Sequence, residues 1–292
     1  MAHTWDARGA EYVVGDAAHV YEYEQGGGAV VGGCHPRVVP TEADGTLAVE
    51  ALGRAVRGDD QHFPITKVVC LEQTHNVKGG TALPLEYVAS VGALARSRGL
   101  KLHVDGARIW HAADALNCSL KDLASHADSL SVCLSKGLGA PAGSLVLGDE
   151  DHVARAKRLR KLLGGAMRQS GVLAAAGLVA LEDNLPNLPL DHARAARLAD
   201  ALQDENPLLH VERRPETNIL FCNLRPSAVA RSDVLARDPG AVATFCADHF
   251  QVHFLHFGNG RFRFVTHHQV DDAKLDRAIH ALHEAANTFL PS

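Results

Sequence analysis

Little in these 292 residues suits a disulfide scaffold, a membrane span or a nucleic-acid surface. The six cysteines, Cys34, Cys70, Cys118, Cys133, Cys222 and Cys246, include no CxxC pair, and several fall inside strand-like runs. They read as small buried hydrophobes of a reducing compartment. No apolar run approaches the ~20 residues that a bilayer span needs, so no membrane partner is expected. Basic residues number 29 against 34 acidic ones, a formal net charge of -5, which removes any general electrostatic reason to bind nucleic acid. Met1 to Gly9 lacks the apolar core of a signal peptide. The expected compartment is the cytosol, with the mitochondrial matrix second. His249, His253 and His256 lie close together in "HFQVHFLHF" without the HExxH spacing of a zinc site, and no metal is expected.

With 46% hydrophobic and 22% charged residues, the chain can fill one large core or two smaller ones. Short β-rich runs alternate with helical patterns through the first half. "EYVVGD" (11–16), "KVVCLE" (67–72), "LKLHVDGA" (100–107), "SLSVCLS" (129–135) and "GSLVLGD" (143–149) read as strands. Their near-continuous hydrophobicity predicts a parallel sheet covered on both faces. Between the second and third, residues 84–99 read as a helix, with Pro84 in its first turn, a stripe of Leu85, Val88 and Val91, and Gly99 as its stop. Residues 164–184 are alanine-rich and predict a long, mostly buried helix. "LPNLPLD" (185–191) reads as a linker that separates a large domain (1–187) from a small one (188–292). Beyond it come a helix, "DHARAARLADALQ", the strands "TNILFCNL", "VHFLHF" and "RFRFVTH", and a last helix over 271–289.

Lys136 follows the apolar run Leu130–Leu134 and enters a loop containing Gly137, Gly139, Pro141 and Gly143. An ammonium brought there by a buried strand needs a compensating partner. Other strand ends carry reactive groups as well: Asp16 and His19, Glu72 and His75, Asp105 and Arg108. In open α/β sheets ligands collect at the C-terminal strand ends, so four such ends suggest one pocket. A desolvated lysine can form a Schiff base. Pyridoxal phosphate uses such a lysine together with a carboxylate that keeps its pyridine nitrogen protonated, and Asp105 suits that task. Alone, Asp105 reads first as the N-cap of the helix that follows; paired with Lys136 one strand later, the cofactor reading overtakes it. His19 and His75 could lie against a ring or a substrate hydroxyl, or be surface residues.

"LHVDGARIWHAA" (102–113), "SVCLSKGLGAPAGSLVLG" (131–148) and "RKLLGGAMRQSGVLAAAGLVAL" (160–181) resemble the central signatures of the low-specificity L-threonine aldolases. "GDAAHVYEYEQGG", "CLEQTHNVKGG" and "RFRFVTH" match weaker motifs of that family in the same order. The resemblance implies an α/β, mostly parallel large domain of the type I pyridoxal-phosphate fold, with a smaller C-terminal α+β domain. It also implies retro-aldol cleavage of threonine or allo-threonine to glycine and acetaldehyde. By this resemblance Lys136 would bind the cofactor covalently, and Asp105 would pair with its pyridine nitrogen. Arg108 and Arg263 would hold the substrate carboxylate, and His19 would stack on the ring. His75 would sit near the substrate hydroxyl, and Arg168 would help bind the phosphate. Ala166 stands where the family has a third glycine. Partners would be an amino-acid substrate and further copies of the chain, as a dimer or tetramer. The family's Ser-Gly-Thr phosphate loop, which precedes these motifs, has no counterpart here, so the expected large domain is N-terminally shortened. The alternative is therefore a non-catalytic chain of the same fold that acts as an assembly partner.

Overall fold

The strand-like runs with polar ends lie side by side. In the computed structural model, which describes residues 1–4, 6–203 and 206–290, six strands form the first sheet: β1 (Glu11–Gly15), β2 (His35–Val39), β3 (Thr66–Glu72), β4 (Lys101–Gly106), β5 (Ser129–Cys133) and β6 (Ser144–Gly148). Their order is β2-β1-β3-β4-β5-β6. The first five are parallel, and β6 runs antiparallel to β5. The α/β, mostly parallel architecture expected of the large domain is therefore present.

Alternation along the strands sets the two faces of the sheet. Val13, Val69, Leu71, Leu102, Val104, Leu130 and Val132 join one core cluster. It is closed in part by the helix Leu85–Ser97, which buries Val88, Val91 and Ala95. The intervening positions, among them Tyr12, Cys70, Glu72, His103, Asp105 and Ser131, belong to the opposite face. β2 was missed by the strand reading because Pro36 and nearby glycines mask its pattern; as the edge strand it tolerates the proline.

Three expectations are corrected. β6 is exposed along its whole length, with Leu145, Val146 and Leu147 at 42%, 50% and 43%. An apolar run reports what a strand could bury, not what covers it. The long buried helix over 164–184 is instead a helix at Gly171–Val179 followed by one wide turn, Ala180–Asn184. Val172 and Leu178 stand 71% and 59% exposed. The "LPNLPLD" linker is helical too: a short turn, Leu185–Asn187, runs into the helix Leu188–Gln203. Pro189 sits in that helix's first turn, where a missing N–H costs nothing.

Contacts divide the chain into Met1–Leu185 and Pro186–Ser292. The second unit holds an antiparallel sheet of β7 (Leu209–Val211), β8 (Ile219–Leu224), β9 (Leu255–His256) and β10 (Arg261–Val265), in the order β7-β8-β10-β9. Phe262 and Phe264 from β10 pack with Leu275, Ala281, Leu282 and Ala285 of the helix Asp272–Phe289. Asp271 caps that helix by accepting from the Lys274 N–H at 2.8 Å.

At the N-terminus of the first unit, Nε2 of His3 and Nδ1 of His103 both bond Oγ of Ser129, at 2.7 and 2.8 Å. The His3 and His152 rings lie 4.3 Å apart. Burial, reinforced by the neighbouring imidazoles, pushes His103 down to about 3 and His3 down to about 4. Their folded values lie below the unfolded value near 6.5, so the unfolded chain binds more protons in between. This contribution to stability is complete above about pH 6.5 and is lost as the pH falls towards 4. The wild-type urea midpoint should fall more between pH 6.5 and 4.5 than that of His103→Gln. Equal falls in the two proteins would refute the linkage.

Candidate active site

β3 and β4 end as register partners, so Glu72 stands beside Asp105, and β5 places Ser131 beside Asp105 in turn. The loop beyond β5 is fixed by its own backbone. The Gly139 N–H donates to the Lys136 carbonyl at 2.8 Å, Ala140 to Leu134 at 3.0 Å, and Leu134 to Gly143 at 3.0 Å. Trp110 Nε1 donates to the Cys133 carbonyl at 2.9 Å, tying the end of β5 to the helix Ile109–Ala115. Gly139 has φ +73°, a left-handed turn position that suits glycine. Gly137 is required for a different reason: a Cβ there would lie 2.1 Å from Nε2 of the buried His111. Lys136 is partly buried rather than enclosed, so solvent relieves some of the cost expected for its charge.

Lys136 shares its electric field with two carboxylates. Burial raises Glu72 to about 7, opposed by N–H donors from His19 and Asn76 and by Lys136, while Asp105 pushes the same way as burial. Burial also raises Asp105, with Lys136, the Ala107 N–H and His19 opposing. Asp105 does not cap the next helix. Its Oδ1 accepts from the Ala107 N–H at 3.1 Å, and the cap position of that helix is Arg108.

Glu72 is the residue whose role the sequence did not reveal. Its Oε2 accepts the backbone N–H of His19 at 2.6 Å, and its Oε1 accepts that of Asn76 at 2.9 Å. Asn76 in turn accepts at Oδ1 from Nη1 of Arg108 at 3.4 Å. The His19 ring pairs at Nδ1 with Oε1 of Glu24 at 3.0 Å and lies 5.1 Å from the Tyr23 ring. His75 is 3% exposed, and burial, helped by Lys78, pushes it down to about 4. It is neutral at pH 7, and its Nδ1 has no hydrogen-bond partner among the described residues.

His19, His75, Asp105, Arg108 and Lys136 thus surround the ends of β1, β3, β4 and β5, four neighbouring strands. Asp16, directly after β1, is exposed and accepts from the Thr41 N–H at 2.8 Å. Arg168 is exposed in the segment between two helices. Arg263 belongs to the second unit, partly buried on β10, with its guanidinium 5.8 Å from the Phe257 ring centre. A cavity of about 590 Å³ over the Cys70–His103 face reaches Glu24 and Ser131, but neither carboxylate nor Lys136 lines it.

The model of the β-eliminating lyase family matches residues 1–226. Low-specificity L-threonine aldolase 1 of Arabidopsis thaliana is 38% identical over 291 residues, covering 99% of this chain and 79% of that protein. The chain belongs to the β-eliminating lyase family. This is a family of pyridoxal-phosphate enzymes. The threonine aldolase of Leishmania major superposes with a TM-score of 0.74 at 21% identity, covering 98% of this chain and 80% of that one. The aspartate aminotransferase of Rhizobium meliloti does so with a TM-score of 0.67 at 16% identity, covering 98% and 73%. Both likenesses support the fold, which is the type I fold of pyridoxal-phosphate enzymes.

In this family member, Gly137→Ala should lower the urea-unfolding free energy by about 1–3 kcal/mol, as expected for a forced contact in a packed site. Gly27→Ala, where a Cβ would meet nothing within 4 Å, should be neutral or slightly stabilising. Equal stability of the two variants would show that the Lys136 loop yields freely.

Proposed function

We propose that this protein cleaves β-hydroxy-α-amino acids, L-threonine or L-allo-threonine, to glycine and an aldehyde, with pyridoxal phosphate held at Lys136. The observation that carries the reading is the placement of Asp105, Lys136 and His19 at or just beyond the ends of β4, β5 and β1 in one parallel sheet. That donor set fits the cofactor: an amine for its aldehyde, a carboxylate for its ring nitrogen, and an imidazole for its face. Lys136, Asp105 and His19 would hold it in those roles. Arg168, which is exposed, is proposed for the phosphate on the motif match alone. When bound, pyridoxal phosphate supplies an electron sink for the pair left on Cα when the Cα–Cβ bond breaks.

The chain's own groups do the rest. Arg108 binds the substrate carboxylate through its planar fork, steadied by Asn76 Oδ1. His75, neutral above about pH 4, accepts the β-hydroxyl proton as the aldehyde carbonyl forms. The electron pair at Cα then takes up a proton, and glycine leaves. Asp105 would hold its negative charge against the ring nitrogen. Arg263, on β10 of the second unit, is proposed as a second ligand of the substrate carboxylate on the motif match alone. Assembly as a homodimer or homotetramer belongs to the same proposal. The exposed apolar side chains of β6 and of the helix Gly171–Val179 support it, since contiguous apolar surface marks a contact.

Incubated with pyridoxal phosphate, the wild-type chain should gain a cofactor absorbance band and release acetaldehyde from L-threonine. Lys136→Ala should lose the covalent band and on the order of a thousandfold or more in activity. An Asp105→Ala variant should keep a covalent adduct and lose turnover. A wild-type chain that binds the cofactor but cleaves no β-hydroxy-α-amino acid would instead favour the non-catalytic assembly role.

A further inference from the structure

The buried carboxylate of Glu72 has no place in the scheme above, yet it bonds to two segments of the site. Both oxygens are used. Oε2 takes the N–H that begins the segment after β1, at His19, and Oε1 takes the N–H of Asn76, directly after His75. The span from His19 to Glu72 is 53 residues, so this single side chain fastens two separate loops to the end of one strand. Asn76 extends the connection to Arg108 beyond β4. We infer that Glu72 is a positioning residue, which sets His19, His75 and Arg108 in register with one another without touching the reacting atoms. The inference rests on the proposed function for the roles of those three groups, but not for the geometry itself.

The loop on the β3 side is otherwise well held. Gln73 Nε2 donates to the Leu83 carbonyl at 2.9 Å, and the Leu83 N–H donates to Gln73 Oε1 at 2.8 Å. The His75 N–H donates to the Thr81 carbonyl at 2.9 Å. On the β1 side, Asp16 Oδ1 accepts from the Thr41 N–H at 2.8 Å and the Ala17 N–H donates to Thr41 Oγ1 at 3.2 Å. Glu72 therefore joins two loops that are each held by bonds of their own. A charged acceptor strengthens both bonds relative to a neutral one, so the connection should tighten as Glu72 ionises. The groups that face it are Asp105 from β4, which opposes ionisation, and Lys136 from beyond β5, which favours it; burial sets the balance near pH 7.

Glu72→Gln tests this, because glutamine offers one acceptor oxygen where glutamate offers two. In the cofactor-free full chain at pH 8, exchange of the His19 or Asn76 amide should be about tenfold faster in the variant. With pyridoxal phosphate and L-threonine, wild-type kcat/KM should rise through about pH 7, and that rise should be missing from the variant. Asn76→Ala keeps its own N–H and both bonds to Glu72, so it should raise KM through Arg108 and leave His19 exchange unchanged. Wild-type exchange rates at both amides of Glu72→Gln would overturn the inference, as would survival of the rise near pH 7 in that variant. Should Glu72→Gln fail to fold, the wild-type amides are compared at pH 6 and pH 8 after correction for intrinsic base catalysis. Protection that does not increase at pH 8 overturns the inference. If exchange responds as expected while neither protein cleaves threonine, the proposed activity falls and the positioning role stands.

Discussion

Two carboxylates at the ends of adjacent parallel strands, facing a single ammonium, constrain everything else in the first unit. Taking a carboxylate out of water costs several kcal/mol unless charge and hydrogen bonds restore what was lost. For Glu72 the restoration is two backbone N–H groups; for Asp105 it is one N–H and the field of Lys136 and His19. Burial outweighs these in both cases, since both groups are raised above their ordinary values. Each carboxylate also opposes the ionisation of the other where burial already does so, which is why the bonds that compensate Glu72 matter to the whole site.

The sheet makes that arrangement possible. Parallel strands bring their C-terminal ends to one edge, and the strand order places β1, β3, β4 and β5 next to one another. Each loop leaving that edge is then tied back by hydrogen bonds within or between loops: Gln73 N–H to the Asp105 carbonyl at 2.7 Å, and Trp110 to Cys133 at 2.9 Å. A strand end is rigid because its ladder is rigid. A side chain on a loop is only as well placed as the bonds that anchor it. This explains why the site combines strand-end carboxylates with loop-borne histidines, and why the histidines need a connecting group.

Much of this was legible in the sequence, and what was not has physical causes. Lys136 and Asp105 stand out because glycines and a strand pattern surround them, and those signals are local. The contribution of Glu72 is not local: its partners are backbone N–H groups, which every residue but proline possesses, so no side-chain pattern announces them. The same limit applies to cover. "GSLVLGD" and the alanine-rich stretch after Gly164 are apolar enough to be buried, yet β6 and the helix Gly171–Val179 are exposed. Composition records what a segment can bury, whereas burial depends on what arrives against it. Proline misled in the opposite direction, since Pro186 and Pro189 suggested a linker where helix starts accommodate them.

The likeness to an aspartate aminotransferase at 16% identity shows how little the fold decides about the reaction. An amine and a carboxylate on neighbouring strands suit the cofactor half of many reactions, and that half can be shared. What distinguishes one reaction from another must lie where substrate meets protein, and here that means the loops carrying His75, Asn76 and Arg108. A buried imidazole that stays neutral far below pH 7 is suited to accept a hydroxyl proton and poorly suited to hold an anion. An arginine beside it is suited to the reverse. The division of labour between them follows from burial alone: the loop after β3 encloses His75 and leaves Arg108 partly open. On the proposed function, selectivity for a β-hydroxyl would therefore rest on the loop that encloses His75, closed by the Gln73–Leu83 bonds, more than on the strands that carry it.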